Sequence, residues 1–589
     1  MATIVTGKVS AALSERFDDG RKSISEFLSG IAPNLTELAE ETLAAYLEAG
    51  HKFCAGWQFP CDFDGLEVGL RVLLDEDFPF SSPKIGLSRP NILRFAHLER
   101  GALLCLPPGQ TVAWDRPADA LAKLLSQAEY IITRGLSSDE QNEDSRREII
   151  AYWRIGQSGK LVTSYLDLDG ISKRFVRLDD GGRTYFFDNR NSARDFFVAG
   201  GRKLKPTKFC KPAMLIWLQR PPRADELPKT VSDLIRLLLD DATSGLEELA
   251  QFLAGANGRS TIALGFSGDH GFGLLALDLP KLHIPQGSPT HLAFVTDSDQ
   301  QHSLKRLLVR RADPPWVFGR DSNPEAAVLQ TKSVAMIGAG SLGSFVAEQL
   351  ASSGVGQISI IDPETLAFEN TSRHVLGAEA VDLNKAEALA MRLQRRFRTS
   401  AFRGVPLKWQ NWVLASKPNL SEFDLIISTV GDWPSEAHLT EYMRSNSSET
   451  ALMFAWLEPH ALASHSVLVP TPSPCFCCGF DTMSTPQWRV TDWATATRRA
   501  IPLCGGQYQP YGITALTTHA ASISESAIAF LIDEISLPSH VVRSSSDPGE
   551  KGGRWSSWWE ESFEGQPLVD RRLVREWPVN ADCAMCGDG

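Results

Sequence analysis

The clearest pattern of apolar and polar positions lies in the last half of the chain, where short apolar runs alternate with amphipathic stretches. We predict strands over 333–337, 357–361 and 424–429, and helices over 342–352 and 384–397 between them. Strands that alternate with helices of this length are typical of a parallel, doubly wound α/β sheet. We therefore assign residues 313–589 to one α/β domain, in which the Ser-, Gly- and Trp-rich stretch 538–566 is expected to be a long, partly mobile loop.

The front of the chain has a different pattern. Residues 66–74 are apolar with a loose alternation, as in a half-buried strand, and 118–132 carry leucines, alanine and isoleucine at helical spacing. This combination predicts an α+β domain over 1–150. The apolar-poor run 136–147 near its end is either a linker or a solvated helix.

The middle of the chain, 151–312, mixes short apolar runs with one helical stretch around 234–253 and contains no chemical motif. We predict an α+β linker domain of unknown role. Its expected strands are 174–178, 184–187, 213–218, 261–266 and 292–296.

Composition narrows the class of protein. At about 100 to 200 residues per domain, 589 residues fit three or four domains. The formal charge of -12 disfavours non-specific nucleic-acid binding, and no run approaches the roughly 18 apolar residues of a membrane span. We therefore expect a cytoplasmic, unexported protein that binds neither nucleic acid nor membrane. Ten cysteines, six of them between Cys475 and Cys586, are too few for a disulfide scaffold and indicate metal binding or catalysis.

A glycine-rich loop follows the predicted strand 333–337 and opens the next helix with Gly338, Gly340 and Gly343. In this context glycines let a phosphate approach the backbone N–H groups at the helix N-terminus. Asp362 follows the next strand, where a carboxylate can bind ribose hydroxyls. Together these residues indicate a nucleotide site.

Four residues beyond Asp362 argue against a dehydrogenase: Asn370, Arg373, Lys385 and Asp432. Convergent Asn, Arg and Lys side chains suit a triphosphate during adenylyl transfer, and a carboxylate suits Mg²⁺. Each residue alone would be read as a surface residue. As an ordered set after a glycine loop, they favour ATP.

Two C-x-x-C pairs lie in the same half of the chain, Cys475 with Cys478 and Cys583 with Cys586. Two such pairs can close one tetrahedral structural Zn²⁺ site, which leaves Cys477 as a spare thiol. Cys504 lies between the pairs in a glycine-rich sequence that offers room for an acyl group, so it is a candidate nucleophile.

This ordered set resembles the adenylating domain of the ubiquitin-activating, ThiF and MoeB-type superfamily, over roughly 310–589. The resemblance implies that Asp362 binds ribose, that Asn370, Arg373 and Lys385 contact the phosphates, and that Asp432 holds Mg²⁺. His374 stands where the family usually has Gln.

The same resemblance implies two further properties. A loop cysteine, here Cys504, takes the acyl group from the adenylate. The family inserts an arginine from the partner subunit, for which Arg320 is the candidate and Arg310 and Arg311 are rivals.

The front domain resembles a ubiquitin-conjugating enzyme, most strongly over 66–132. The resemblance rests on Phe78-Pro79, His97, Cys105-Leu106 and Trp114 in that order. The chain departs from the family at His97-Leu98-Glu99, where His-Pro-Asn is expected. We predict that Cys105 carries an acyl group and that His97 is structural; the alternative is a binding fold in which Cys105 is a core thiol.

A conjugating-type domain before an activating-type domain resembles the ubiquitin-transferase-like fusions encoded in bacterial antiphage CBASS operons. That family implies ligation of the C-terminus of a CD-NTase to target amines, with ATP, Mg²⁺ and Zn²⁺. It also implies a homodimer formed through the adenylating domains. The alternatives are activation of a sulfur carrier, as in ThiF and MoeB-type proteins, and a nucleotide-binding scaffold with inert thiols.

Overall fold

The chain forms two compact units in the computed structural model. The structure describes all residues except 1, 64, 89–96, 107–113, 137, 155–158, 200–209, 242, 256–257, 270, 283–300, 447, 472, 482–483, 502–506 and 588–589. The first unit comprises Met1–Thr163, Leu168–Phe186 and Lys211–Arg310. The second unit comprises Ser164–Asp167, Phe187–Cys210 and Arg311–Gly589.

The first unit begins with a four-stranded sheet whose strands follow one another in chain order and pair in antiparallel fashion. The strands are β1 (Thr36–Glu37), β2 (Phe53–Phe63), β3 (Leu66–Asp75) and β4 (Lys84–Leu87). The helices are α1 (Ala2–Ile31), α2 (Glu40–Ala44), α3 (Pro117–Leu136), α4 (Ser138–Arg147) and α5 (Ile149–Arg154). Alternate residues of β2 and β3, such as Trp57 and Val72, pack with Leu28 of α1 and Ala128 of α3 in one core. Residues 138–147 of the polar run form helix α4 rather than an extended linker.

A closed barrel of seven strands follows, in the order β10-β11-β5-β7-β6-β8-β9. The strands are β5 (Leu161–Ser164), β6 (Lys173–Asp180), β7 (Arg183–Phe187), β8 (Cys210–Trp217), β9 (Ser260–Gly268), β10 (Gly271–Leu279) and β11 (Lys305–Arg311). Four of the predicted strands are confirmed as parts of β6 to β9, whereas the predicted strand 292–296 lies outside the described residues. The single helix predicted over 234–253 is instead two, α7 (Val231–Asp241) and α8 (Thr243–Ala254).

The second unit is built on an eight-stranded mixed sheet, in the order β14-β13-β12-β15-β16-β17-β21-β23. The first five strands are parallel, as predicted, and the remaining three are antiparallel. The strands are β12 (Ser333–Ile337), β13 (Gln357–Ile361), β14 (Ala401–Val405), β15 (Leu425–Ser428), β16 (Ala451–Leu457), β17 (Ala463–Val469), β21 (Ser539–Ser544) and β23 (Arg572–Arg575). Two further pairs of short antiparallel strands lie outside this sheet. In one, β19 (Arg499–Ala500) pairs with β20 (Gln507–Tyr508), and in the other, β18 (Thr491–Trp493) pairs with β22 (Gly553–Trp555).

Helices cover the sheet because its central strands are apolar on both faces. In β12, Val334 and Met336 belong to one core cluster, and Ala335 and Ile337 belong to another. The helices of this unit are α6 (Arg190–Ala199), α9 (Pro314–Gly319), α10 (Pro324–Thr331), α11 (Ser341–Ser353), α12 (Lys385–Arg396), α13 (Trp409–Ser416), α14 (Trp433–Ser445), α15 (Ile513–Leu531) and α16 (Ser557–Ser562). A parallel sheet buried on both faces brings the loops after β12, β13 and β15 to one edge.

The prediction of a mobile loop over 538–566 is wrong. This stretch contains β21, β22 and α16, and β21 pairs with both β17 and β23. Trp559 is completely buried. The tryptophans supply the apolar area that the surrounding Ser and Gly residues lack, so the stretch packs as structure.

No helix in the described part of the chain is both long enough and apolar enough to cross a membrane.

Candidate functional site

The glycine loop adopts a conformation that two of its glycines make possible. Gly338 directly follows β12 and has φ +96°, in the left-handed region that L side chains rarely adopt. A Cβ at Gly343 would collide with the carbonyl oxygen of Gly338 and with Oγ1 of Thr429. Gly340 is the residue before α11, so the first N–H groups of that helix face the edge of the sheet where the loop lies.

Asp362 fixes this loop from the next strand. One carboxylate oxygen accepts a hydrogen bond from Ala339 N at 2.7 Å, and the other accepts one from Glu364 N at 2.7 Å. Burial raises the pKa of Asp362 above its usual value, although both backbone N–H groups and Lys385 oppose the shift. The carboxylate predicted to bind ribose therefore also holds the loop that would bind phosphate.

Lys385 is brought to the same place. It is only 5% exposed, and its Nζ lies 2.5 Å from Oε2 of Glu364. Asn384 sets its position, because the Asn384 side chain caps α12 and donates to the carbonyl oxygen of Asp362 at 2.9 Å. The amine is thus a buried cation beside the loop, as a phosphate ligand requires.

His374 is a further contact of the glycine loop. Its Nε2 lies 2.7 Å from the carbonyl oxygen of Ala339, and its Nδ1 accepts a hydrogen bond from Leu376 N at 3.0 Å. These partners place the ring proton on Nε2. Burial lowers the pKa of His374, so the residue that replaces the family Gln acts as a neutral hydrogen-bonding group.

Arg373 and Asn370 lie in the turn before His374. Arg373 donates to Gln509 O at 3.0 Å, and its guanidinium lies 4.9 Å from the ring centre of Tyr511. Tyr511 is hydrogen-bonded to Ser341 at the start of α11, at 2.8 Å, which links Arg373 to the glycine loop. The Asn370 side chain is turned toward the backbone of its own turn, where Oδ1 accepts a hydrogen bond from Ala367 N at 3.0 Å. Tyr511 was missed from the sequence; its place one residue before the Gly512 cap of α15 is the signal for it.

Asp432 lies at the same edge, after β15. It is exposed, and its side chain caps α14 by accepting from Ser435 N at 3.2 Å. Thr429, three residues earlier, donates to the Gly338 carbonyl at 3.1 Å, so this loop contacts the glycine loop. An exposed carboxylate oxygen at this edge is chemically suited to Mg²⁺.

The candidate arginines before the loop differ in their surroundings. The Arg311 side chain is only 8% exposed and is ion-paired with Asp313 and Asp321, so it holds its own segment in place. Arg320 is exposed, follows α9 in a left-handed conformation, and stacks over Trp316 at 5.2 Å. Arg310 is also exposed. A side chain can enter another subunit only if it is exposed, so Arg320 and Arg310 suit this role and Arg311 does not.

The four predicted zinc ligands converge. Their sulfur atoms all lie within 4.8 Å of one another, with Sγ–Sγ distances of 3.9 Å for Cys475 and Cys478, 3.6 Å for Cys475 and Cys583, and 3.3 Å for Cys478 and Cys586. Four sulfurs at about 2.3 Å from a tetrahedral Zn²⁺ lie about 3.8 Å apart, so this donor set fits zinc in type, number and spacing. Cys477 is not one of the four.

Cys504 lies outside the described residues. The strands on either side of it, β19 and β20, pair with each other, with Arg499 opposite Tyr508 and Ala500 opposite Gln507.

Glu458 is a buried residue that the sequence did not suggest, and it anchors the segment that leads to β19. Its carboxylate accepts from Val490 N at 2.6 Å, from Thr491 N at 2.8 Å and from His465 Nε2 at 2.9 Å. Burial alone would raise the pKa of Glu458, but His465 and the other donors hold it below its usual value.

The second thiol, Cys105, lies in the first unit directly after Leu104, which forms an antiparallel bridge with Leu98. Its N–H donates to His97 O at 2.7 Å. Cys105 is exposed and opens into a cavity of about 370 Å³ that is also lined by His97, Glu99 and Glu148. Burial, followed by Glu99 and Glu148, raises the pKa of the Cys105 thiol. The surroundings therefore favour the thiol over the thiolate.

His97 is held by acidic residues. Its Nδ1 is ion-paired with Glu148, its backbone N donates to the same carboxylate at 3.0 Å, and its Nε2 lies 3.8 Å from Asp144. The hydrogen bond with Glu148 raises the pKa of His97. Trp114, by contrast, is 46% exposed and stacks with Phe80 at 6.0 Å between ring centres.

Comparison with known proteins agrees with this division into two kinds of site. Residues 318–537 match the ThiF family and residues 44–162 match prokaryotic E2 family B. The chain therefore contains a region similar to prokaryotic E2 family B in front of a region similar to the ThiF family.

The chain is similar to proteins named ATP-dependent ubiquitin transferase-like protein Cap2. It is 26% identical to the protein of Pseudomonas aeruginosa over 234 residues, which are 38% of this chain and 41% of the relative. It is 27% identical to that of Vibrio cholerae over 241 residues, 38% of this chain and 40% of the relative. The chain thus spans about two fifths of the length of these relatives. The resemblance to ubiquitin-transferase-like fusions is confirmed.

Among solved structures, the crystal structure of E. coli MccB is 17% identical with a TM-score of 0.32, covering 45% of this chain and 68% of that one.

Proposed function

We propose that this protein joins the C-terminal carboxylate of a partner protein to an amine, by adenylation at the glycine loop and thioester transfer through Cys504 and Cys105. The observation that carries the proposal is the convergence, at one edge of the sheet, of the glycine loop and start of α11 with Asp362, Lys385 and Arg373. A helix N-terminus with two cations supports binding of the triphosphate of ATP.

Adenylation solves a chemical problem. A carboxylate has no good leaving group, so a carboxylate oxygen attacks the α-phosphorus of ATP and pyrophosphate leaves. Lys385 and Arg373 offset the charge that develops on the phosphates. Asp432 would hold Mg²⁺, which would neutralise further phosphate charge. The four-cysteine cluster would hold Zn²⁺ as a purely structural ion, since four thiolates leave no open coordination position.

Two thioesters follow in the proposed order. The Cys504 sulfur attacks the acyl carbon of the adenylate and AMP leaves. The acyl group then moves to Cys105 by thioester exchange, and an amine displaces Cys105 to form an amide. The E2-type match over 44–162 supports the second thiol step and disfavours sulfur-carrier activation, which needs no conjugating domain.

The partner and assembly rest on the resemblance. We propose that the protein whose C-terminus is activated is a CD-NTase encoded in an antiphage CBASS operon. We also propose that the chain acts in the cytoplasm and forms a homodimer through its adenylating regions. Arg320 would then enter the partner subunit's nucleotide site.

The test is incubation with ATP and a candidate CD-NTase, followed by peptide mass spectrometry of both thiols. We expect ATP–pyrophosphate exchange, an acyl group on Cys105, and an amide product. Absence of exchange contradicts adenylation and leaves a nucleotide-binding scaffold.

Variants test the order of the relay. Cys504→Ala should abolish loading of Cys105, and continued loading would contradict the order. Cys105→Ala should abolish the amide while exchange persists, and intact conjugation would contradict the relay. Cys54→Ala, which removes another exposed thiol, is the control and should change neither.

A further inference from the structure

Glu99 stands where the conjugating-enzyme motif has asparagine, and the backbone brings it to the Cys105 thiol. The bridge between Leu98 and Leu104 is flanked by two hydrogen bonds, Cys105 N to His97 O and Glu99 N to Leu103 O, each 2.7 Å. In an antiparallel pair, residues on either side of such a bridge lie on the same face. Glu99 is therefore a diagonal neighbour of Cys105.

The side chains meet at one cavity. Glu99 and Cys105 both line the space of about 370 Å³, and both are exposed. The Glu99 carboxylate contributes to the raised pKa of the Cys105 thiol. Glu148 lines the same cavity, but its carboxylate is engaged by the ring and the backbone N–H of His97. Glu99 is thus the carboxylate that lines this cavity on the same face as Cys105.

The charge of this site suits one state of the thiol better than the other. Carboxylates beside a thiolate oppose its formation, since like charges repel. An acylated sulfur carries no charge, so the carboxylates do not oppose the loaded state, and they attract a cation. A primary amine arrives at neutral pH as an ammonium ion, so the acidic site favours its entry.

His97 is less suited to take a proton from that amine. Its Nδ1 is paired with Glu148 and its Nε2 faces Asp144, so both ring nitrogens are directed at carboxylates. Two anions beside the ring raise the pKa of His97 and oppose release of its proton, which supports a structural role.

We propose that Glu99 is a catalytic residue of aminolysis at Cys105, acting as a proton shuttle between the incoming amine and the leaving sulfur. This inference rests on the proposed function, in which Cys105 carries the acyl group. The Glu99 carboxylate takes one proton from the ammonium ion. The freed amine attacks the thioester carbonyl carbon, the C–S bond breaks, and Glu99 returns its proton to the leaving thiolate. A second amine proton passes to water, which leaves an amide, a thiol and a carboxylate.

The experiment separates discharge from loading. The full-length protein is acylated on Cys105 by exchange with a short peptide thioester, which bypasses ATP, and the modified site is followed by peptide mass spectrometry. Loss of the thioester is then timed with Nα-acetyl-lysine and, separately, with hydroxylamine, which is uncharged at neutral pH and needs no base. Glu67→Gln, at an exposed position of β3, is the matched control.

We expect Glu99→Gln to slow discharge to the lysine by about 10²-fold, the usual contribution of a general base, and to leave discharge to hydroxylamine unchanged. Wild-type discharge to lysine in Glu99→Gln would overturn the proposal. An equal loss with both nucleophiles would also overturn it, because that outcome indicates a structural role.

Glu99→Asp provides a second measure if Glu99→Gln does not accept the acyl group. Its shorter carboxylate should lower the ratio of lysine to hydroxylamine rates, and an unchanged ratio contradicts the shuttle. Failure of ATP-dependent loading in the wild type would instead contradict the proposed function and leave the discharge comparison intact.

Discussion

The glycine-loop site of the second unit and the Cys105 site of the first unit differ in the charge around their reactive positions. The former places Lys385, Arg373 and a helix N-terminus at one edge of the sheet. The latter places Glu99 and Glu148 beside a thiol, whose pKa they raise together with burial. Each charge matches the proposed reactant of its step, a polyphosphate in one case and an ammonium ion in the other.

The difference teaches that one chain need not activate its reactive groups in the same way. Cations at the loop stabilise charge that develops during adenylation. Carboxylates at Cys105 disfavour the thiolate, yet they suit the neutral thioester that follows. The four experiments below would break or sharpen this contrast, beginning with the largest expected effect.

Lys385→Met should reduce ATP–pyrophosphate exchange by about 10² to 10³-fold, the cost of removing one electrostatic donor from a preorganised site. Loading of Cys105 from a peptide thioester should be unchanged, because that step does not use the nucleotide. Lys408→Met, at an exposed position outside the loop, serves as control. Equal exchange in Lys385→Met and wild type would remove Lys385 from the site.

Cys583→Ser should weaken zinc binding by at least about 10²-fold, since losing an outer-shell partner alone costs 10 to 100-fold. Metal content measured after dialysis should fall from one ion per chain to none, and the thermal midpoint should fall with it. Cys477→Ser, in the same turn but outside the four sulfurs, should retain the ion. Loss of zinc in both variants would contradict the assignment of ligands.

Glu99→Gln should speed alkylation of Cys105 by iodoacetamide at pH 7 by roughly two- to fivefold, because a unit charge at 4 Å contributes about 1 kcal/mol in water and salt reduces this. Alkylation of Cys54 in the same sample is an internal control. A slower reaction at Cys105 would show that Glu99 does not oppose the thiolate.

His97→Gln should lower the free energy of unfolding by about 1 kcal/mol at pH 5.5, as expected for a partly exposed ion pair. The pairing with Glu148 raises the pKa of His97 in the folded protein, so this stabilisation is complete below the unfolded pKa near 6.5. It is lost as the pH rises through the higher folded value. Denaturant unfolding at pH 5.5 and pH 9 measures it, and an equal difference at both pH values would contradict the charged pair.

The α/β elements around the glycine loop could be predicted from the sequence to within a residue or two, because each is a short apolar run closed by a glycine or a cap. The four cysteines that converge could be chosen from spacing alone. Barrel strand β10 and the buried structure of 538–566 were missed, since both depend on pairing with strands distant in the chain. The sequence also does not reveal the register of the bridge between Leu98 and Leu104, so it shows Glu99 only as a departure from a motif.

Residues brought together by packing also escaped prediction. Glu148 looks like one more charge in a polar run, yet it meets His97 from 51 residues away. Glu458 has no motif around it, and only the fold reveals that it receives N–H groups from Val490 and Thr491. Cys504 stays a prediction from sequence.

The four-cysteine cluster has a consequence for how the chain is connected. Cys475 and Cys583 are 108 positions apart, so a zinc ion bound there closes the intervening polypeptide into a ring. In a chain-entropy treatment, a cross-link around a ring of about 100 residues removes about 5 kcal/mol of freedom from the unfolded state. Cys504 lies on this ring. A protease that cuts the backbone once between Cys478 and Cys583 should therefore leave both pieces joined until the metal is withdrawn with a chelator.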